Sequence, residues 1–323
     1  MDPRRFIATL ARQILVTIVI ISASLTAFAE TEPACDKSGV TLQVLGSGGP
    51  IADDGRASSA YLVWVDGKSK FLIDAGGGAF LRFAEAGGDF NELDFIGISH
   101  FHADHSADLP ALLKSGYFAN RTRSLGISGP AGSEPFPGLH DYLDSMIGKP
   151  NGAYRYLAGY LDGSGGLPAL DLKEVALDET GPVSVFGEAG DELRVEAMSV
   201  PHAIVPAIAY RLFVGDTSIV FASDQNGSKE QFKAFAKDAD VMVMHMPVPE
   251  GVTGAGRKLH APPSVIGEIA ADANVRQLVL SHFMARSLQS LDKNVAIVES
   301  AYPGAVNVAA DLSCISIKNR ATH

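Results

Sequence analysis

The chain has 323 residues, is 46% hydrophobic and 20% charged, and carries a net charge of −11. That length fits one large α/β domain, and the composition excludes a fibrous or disordered protein. With 37 acidic side chains against 26 basic ones, a broad electrostatic grip on nucleic acid, which needs clustered Lys and Arg, is not expected.

The N-terminus stands apart. Arg4, Arg5 and Arg12 lead into an apolar run over 14–29 that ends in Ala27-Phe28-Ala29. A charged lead, an apolar stretch and a small-x-small ending read as a secretory signal peptide over 1–29. The stretch is shorter than the roughly 20 residues that a spanning helix needs. Cleavage removes three arginines and one aspartate and leaves the remainder at −13. The expectation is a periplasmic or secreted protein, exported by either the general or the twin-arginine route, with no lasting membrane association. In that setting Cys35 and Cys314 are expected to pair as a disulfide. Closing so long a loop contributes about 4–5 kcal/mol by the chain-entropy account.

Strand signals follow at 41–47, 60–67 and 70–76, with a hairpin at Asp66-Gly67. The spacing predicts a helix over 79–87, a fully apolar strand over 95–99, and a helix over 105–118 with Leu109, Leu112, Leu113 and Tyr117 on one face. A strand over 125–130 and a helix near 134–147 come next. The segment 148–168 mixes Gly, Pro and aromatics and reads as a surface loop or lid. Strands are expected again at 192–202, 207–224 (a hairpin turning at Gly215-Asp216), 241–246 and 276–283. Helices fit 228–238, 263–273 and 286–301, and a strand pair or bent strand closes the chain at 306–317. No linker divides the pattern. The fold class is α/β: a single domain over 38–318, with two packed sheets and helices outside.

The chemistry concentrates in "SHFHADH" (99–105), which holds three of the nine histidines. In extended chain, residues two apart point the same way, so His100 and His102 can converge on one ion. Asp104 and His105, where the chain turns into a helix, can face a second. Imidazole and carboxylate together suit zinc, or manganese or iron in its place. The end of an apolar strand is also where α/β sheets place their sites. His202, Asp224 and His282 follow apolar strands in the same way. Five histidines and two aspartates can then hold two divalent ions with an activated water between them, Asp224 bridging.

These motifs resemble the His-x-His-x-Asp-His signature of the metallo-β-lactamase superfamily. The order of "LGSGGP", "FLIDAGGG", "SVPHAIVPAIAYRL", "FASDQ" and "LVLSHFMAR" over 41–290 is similar to ribonuclease Z and its arylsulfatase-like relatives. The resemblance implies a four-layer αββα sandwich. It assigns His100, His102 and His202 to the first metal, Asp104, His105 and His282 to the second, and Asp224 to both. It also makes Asp104 and His260 the catalytic candidates, with His260 protonating the leaving group from a loop over the site. Three features depart from ribonuclease Z. The bridging aspartate sits in "SDQ", His245 lacks an adjacent Glu, and 148–168 is aromatic rather than basic.

The leading expectation is therefore a secreted binuclear metal-dependent hydrolase of a small-molecule ester, a phosphodiester or sulfate ester, with Tyr154, Tyr156 and Tyr160 as an apolar wall for the substrate. Three readings stand beside it: a lactonase or β-lactam hydrolase, a ribonuclease Z-like endonuclease, and an inactive zinc-binding periplasmic protein. Charge and export argue against nucleic acid as a partner, and an oligomer is left open.

Overall fold

A computed structural model describes residues 35–178 and 181–317. The expected signal peptide, 1–29, lies outside them. The strands in chain order are β1 (Val40–Gly46), β2 (Ala60–Val65), β3 (Lys68–Ile73), β4 (Phe95–Gly97), β5 (Leu125–Pro130), β6 (Leu170–Val175), β7 (Val183–Phe186), β8 (Leu193–His202), β9 (Val205–Val214), β10 (Thr217–Phe221), β11 (Val241–His245), β12 (Gln277–Ser281), β13 (Ala305–Val308) and β14 (Cys314–Ile317). They form two seven-stranded sheets, ordered β14-β1-β2-β3-β4-β5-β6 and β13-β12-β11-β10-β9-β8-β7. In each sheet the strands nearest the site run parallel, β3 through β6 and β10 through β13.

Alternation along each strand builds the layers. In β2, Tyr61 and Val63 turn toward the second sheet, into a core shared with Phe71, Ile73, Ile208, Tyr210, Phe221 and Val243. Ala60, Leu62 and Trp64 turn the other way, under the helices that cover the first sheet. Phe232, Ile266, Ile269 and Val298 do the same work outside the second sheet. Strands buried on both faces read as continuous apolar runs, and so "FIGIS" and "VMVMHM" carried the pattern in sequence. The result is the expected αββα sandwich.

The hairpin at Asp66-Gly67 is present, both residues having positive φ. The helix expected over 105–118 is broken into Ala103–Ser106 and Leu109–Tyr117. The one over 286–301 is broken into Ala285–Leu288 and Leu291–Ala301. The closing segment is not a strand pair: β13 and β14 belong to different sheets. Both cysteines are disulfide-bonded.

The segment 148–168 corrects a larger expectation. It forms a 3-10 turn at Arg155–Leu157 and a helical turn at Gly159–Asp162. Leu157 and Tyr160 are core residues, and the Tyr160 hydroxyl donates to the Leu113 carbonyl at 3.0 Å. Tyr154 and Tyr156 are exposed, and Tyr156 stacks on the Lys114 ammonium at 4.7 Å. None of the three tyrosines is in the linings of the two clefts described below, and Tyr160 belongs to the core. A Tyr whose hydroxyl finds a backbone carbonyl is a good core residue, and that won here.

Candidate metal centre

The candidate ligands sit at the carboxyl ends of strands from both sheets. His100, His102, Asp104 and His105 follow β4. His202 ends β8, Asp224 follows β10, His245 ends β11 and His282 follows β12. Three residues here have left-handed backbones without being glycine: Asp74 (φ 60°), Ser223 (φ 61°) and His282 (φ 56°). Each costs about 1–3 kcal/mol, a strain typical of sites where surrounding packing dictates the geometry. Two glycines make room. A Cβ on Gly76 would strike the Asp104 carbonyl, and one on Gly49 would come within 2.9 Å of the His282 ring. These are the glycines of "DAGGG" and "LGSGGP".

The ring nitrogens and carboxylate oxygens converge. His100, His102 and His202 form one group whose atoms lie within 4.8 Å of each other. His105, Asp224, His245 and His282 form a second, and His202, Asp224 and His260 a third. Asp104 completes the second group, with Oδ2 3.2 Å from His282 Nε2 and 3.6 Å from His105 Nε2. Asp224 is central. Its Oδ2 lies 3.7 Å from both His105 Nε2 and His202 Nε2 and 4.0 Å from His100 Nε2, while Oδ1 is 3.4 Å from His282 Nε2. All seven sequence-predicted ligands are thus brought together, with Asp224 between the two sets.

The orientation of each ring can be read from its outer nitrogen. His105 Nδ1 donates to Asp74 Oδ2 at 2.8 Å, and His202 Nδ1 donates to the Leu259 carbonyl at 2.9 Å. Asp74 also accepts from the Ser99 amide and hydroxyl at 2.7 and 2.9 Å. With Nδ1 committed, each Nε2 offers a lone pair inward. Two further contacts bring ring nitrogens together, His105 Nε2 and His282 Nε2 at 3.0 Å and His100 Nε2 and His102 Nδ1 at 3.1 Å. The buried Nε2 of His202 has no hydrogen-bond partner. Imidazole nitrogens, one of them without a partner, converging at these distances beside two buried carboxylates form a donor set that fits divalent metal.

The electrostatics agree. Burial raises the Asp104 carboxyl but is outweighed by the His282 hydrogen bond and the neighbouring imidazoles, which hold it down at about 2. Burial likewise opposes ionisation of Asp224, yet the surrounding histidines keep it well below the usual carboxylate range. His105 and His282 are pushed up, against burial, by Asp74, Asp224 and Asp104. The pocket attracts positive charge.

His260 is not on a loose loop. It follows a short helix, Gly254–Leu259, and is 7% exposed. Burial, reinforced by neighbouring histidines, drives it down to about 3, so the free protein carries it neutral. It lines a cleft of about 440 Å³ with Pro50, His102, Asp104, Met284 and Arg286. A second cleft of about 480 Å³, lined by Ser133, Ile204 and Lys229 among others, also has His202 in its lining.

Three residues of this centre went unassigned in the sequence: Asp74, His245 and Tyr61. Asp74 has the same strand-end position as the ligands, in "FLIDAG". His245 lies 2.7 Å from Asp224 through Nδ1, and Tyr61 lies 3.0 Å from His245 through its hydroxyl.

Comparison with known proteins agrees with this geometry. The family model described as anti-Pycsar protein Apyc1 matches residues 40–130. Ribonuclease Z of Methanosarcina mazei is 27% identical over 272 residues, covering 75% of this chain and 87% of the relative. Among solved structures, human tRNase Z, short form (ELAC1), matches with a TM-score of 0.64 at 20% identity, covering 86% of this chain and all of that one. The metallo-β-lactamase fold protein YhfI of Bacillus subtilis also matches with a TM-score of 0.64, at 19% identity, covering 85% and 98%. The fold is the metallo-β-lactamase sandwich, and fold, site and relatives together are those of a metal-dependent hydrolase similar to members of that superfamily. Within that superfamily its sequence similarity runs to ribonuclease Z.

Proposed function

We propose that the protein is a ribonuclease Z-like phosphodiesterase that works with two divalent ions. His100, His102 and His202 would hold one ion, Asp104, His105 and His282 the other, and Asp224 both. The observation that carries the reading is the pair of clefts that share His202 in their linings. A phosphodiester has a substituent on each side of the scissile bond, and two clefts accommodate two substituents. A sulfate ester or a phosphomonoester has only one. The ribonuclease Z relatives support the same bond type.

Bound divalent ions supply an activated water and neutralise charge on the reacting phosphoryl group. The chain's own groups do the rest. Asp104, ionised above pH of about 2, is placed at the cleft to accept the water's proton. His260, neutral and lining the same cleft, is placed to donate a hydrogen bond to the departing oxygen. The anionic substrate raises its proton affinity when bound.

RNA and smaller diesters share this bond. Net charge argues against a long nucleic-acid track, while the ribonuclease Z relatives argue for RNA. Assays with zinc or manganese on bis-p-nitrophenyl phosphate, p-nitrophenyl phosphate, p-nitrophenyl sulfate, nitrocefin and a 3′-extended transfer RNA separate the cases. Diester hydrolysis should exceed monoester hydrolysis at least about 100-fold, a gap of two factors of ten in transition-state stabilisation. Preference for the sulfate, the monoester or nitrocefin would refute the reading.

We also propose that residues 1–29 direct export. The arginine-led apolar run and the disulfide-bonded cysteines support this. The test is the N-terminus of the protein recovered outside the cytoplasm, expected at Glu30.

A further inference from the structure

We propose that Asp311 is a positioning residue for His282: its carboxylate clasps the loop 47–57, and that loop sets the place of the His282 ring in the ligand cluster. This rests on the metal-site reading above. The ligands differ in how they are held. His105 and His202 are each turned by a hydrogen bond at the outer ring nitrogen, from Nδ1 to Asp74 and to the Leu259 carbonyl. His282 has no such bond. Its Nε2 points inward, 3.2 Å from Asp104 Oδ2 and 3.0 Å from His105 Nε2. Its buried Nδ1 has no hydrogen-bond partner among the described residues. The ring is therefore placed by its backbone and its packing.

Both come from one loop, which joins β1 to β2. His282 has a left-handed backbone, with φ 56°. The next residue, Phe283, is bonded on both sides: its amide donates to the Ser47 carbonyl at 2.8 Å, and its carbonyl accepts from the Gly49 amide at 2.9 Å. Gly49 packs against the ring itself, where a Cβ would stand 3.0 Å from His282 Nδ1. The loop thus fixes the peptide that follows His282 and fills the side of the ring where an orienting partner would sit.

One carboxylate holds the loop at both ends. Asp311 Oδ1 accepts from the Ser47 amide at 3.0 Å and the Ser47 hydroxyl at 2.8 Å. Its Oδ2 accepts from the Ala57 amide at 2.8 Å and the Arg82 guanidinium at 3.2 Å. These donors use the about four acceptor positions that a carboxylate has. Arg56 adds a strut. It donates to the Ser47 hydroxyl at 2.6 Å and the Ala309 carbonyl at 3.0 Å, and lies 5.3 Å from the centre of the Phe283 ring. Asp311 itself lies between β13 and β14, where the chain crosses from the sheet that carries His282 to the sheet that carries the loop. Without the carboxylate, two amides and a hydroxyl lose their acceptor. The loop ends part, Phe283 loosens, and His282 loses its direction. Losing the orientation of a ligand weakens metal binding by about 10–100-fold.

The test uses the full chain. In the metal-free protein, Asp311→Ala should make the Phe283 amide exchange with deuterium at least about tenfold faster relative to the β10 amides, which local opening produces and a general loss of stability does not. Equal relative exchange at Phe283 overturns the inference whether or not the protein binds metal. In competition with a chromogenic chelator, the same variant should hold the ion at Asp104, His105 and His282 about 10–100-fold more weakly, and the other ion within about twofold. Unchanged affinity, or equal weakening of both ions, overturns it. Arg82→Met removes one partner of Asp311 and leaves its bonds to Ser47 and Ala57, so both readouts should match the parent. A loss like that of Asp311→Ala would assign the effect to the ion pair and overturn the clasp. Asp311→Asn keeps one acceptor oxygen and should show smaller losses in the same two readouts, which decides the matter if Asp311→Ala does not fold. Parent protein that takes up no zinc would refute the metal-site reading itself, and the exchange result would still decide the clasp.

Discussion

The two halves of the ligand cluster are supported in different ways. His202, in the first half, is oriented by a backbone carbonyl, that of Leu259, at the end of a short helix in which no residue is buried. His105 and Asp224, in the second half and the bridge, are oriented by buried side chains: Asp74 for one, and His245 with Tyr61 behind it for the other. Asp74, His245 and Tyr61 are each under 5% exposed. A helix end with few buried contacts opens at low free energy, whereas a network inside the sandwich opens only with the sheets. The half next to the cleft lining of His260 and Leu259 is thus built on the more adaptable support. The bridge is built on the stiffer one.

The largest expected effect comes from breaking the bridge. Asp224→Ala should lose both ions and reduce turnover by more than the about 100-fold that marks the upper end for orienting residues. Elemental analysis and diester kinetics read it, and retention of one tightly held ion would show that Asp224 belongs to one site only. Next is Asp74→Asn. It puts an amide where three donors converge, so the His105 tautomer is no longer dictated. Metal affinity should fall about 10–100-fold, the second ion leaving before the first in a chelator titration. Loss of both ions together would remove the distinction between the halves.

A smaller effect concerns pH in the metal-free protein. His260 sits at about 3 when folded against an ordinary 6.5. A histidine with a depressed folded pKa takes up its proton on unfolding, so its contribution to stability is lost as pH falls from 6.5 toward 3. The melting temperature of metal-free His260→Gln should therefore decline less steeply over that window than that of the parent. An identical slope would mean that His260 is not buried neutral. The smallest effect is expected at the aromatic segment. Tyr156→Ser lies outside both clefts and should leave kcat/KM within about twofold, as for most exposed positions. A tenfold loss would return the segment to the substrate path.

The sequence made the ligands legible because each follows an apolar strand, and a strand's end is visible as the place where the apolar run stops. Asp74 has the same position but stands alone after its strand, where a single aspartate also reads as a turn former. The His245–Tyr61 contact joins residues 184 apart, and no local pattern encodes so distant a pair. Two strands were missed for a different reason. β6 alternates weakly, with exposed positions on both sides, and β7 has only four residues. In 148–168, glycines and prolines masked Leu157 and Tyr160, whose burial depends on partners from distant elements.

The central claim is that six side chains and the Asp224 they surround hold two divalent ions. The most direct measurement is the metal content of the purified full chain, after incubation with zinc and removal of the unbound excess. The account predicts close to two ions per chain, falling to near zero in Asp224→Ala. A parent protein with no bound metal, or an Asp224→Ala variant that keeps both ions, would contradict it.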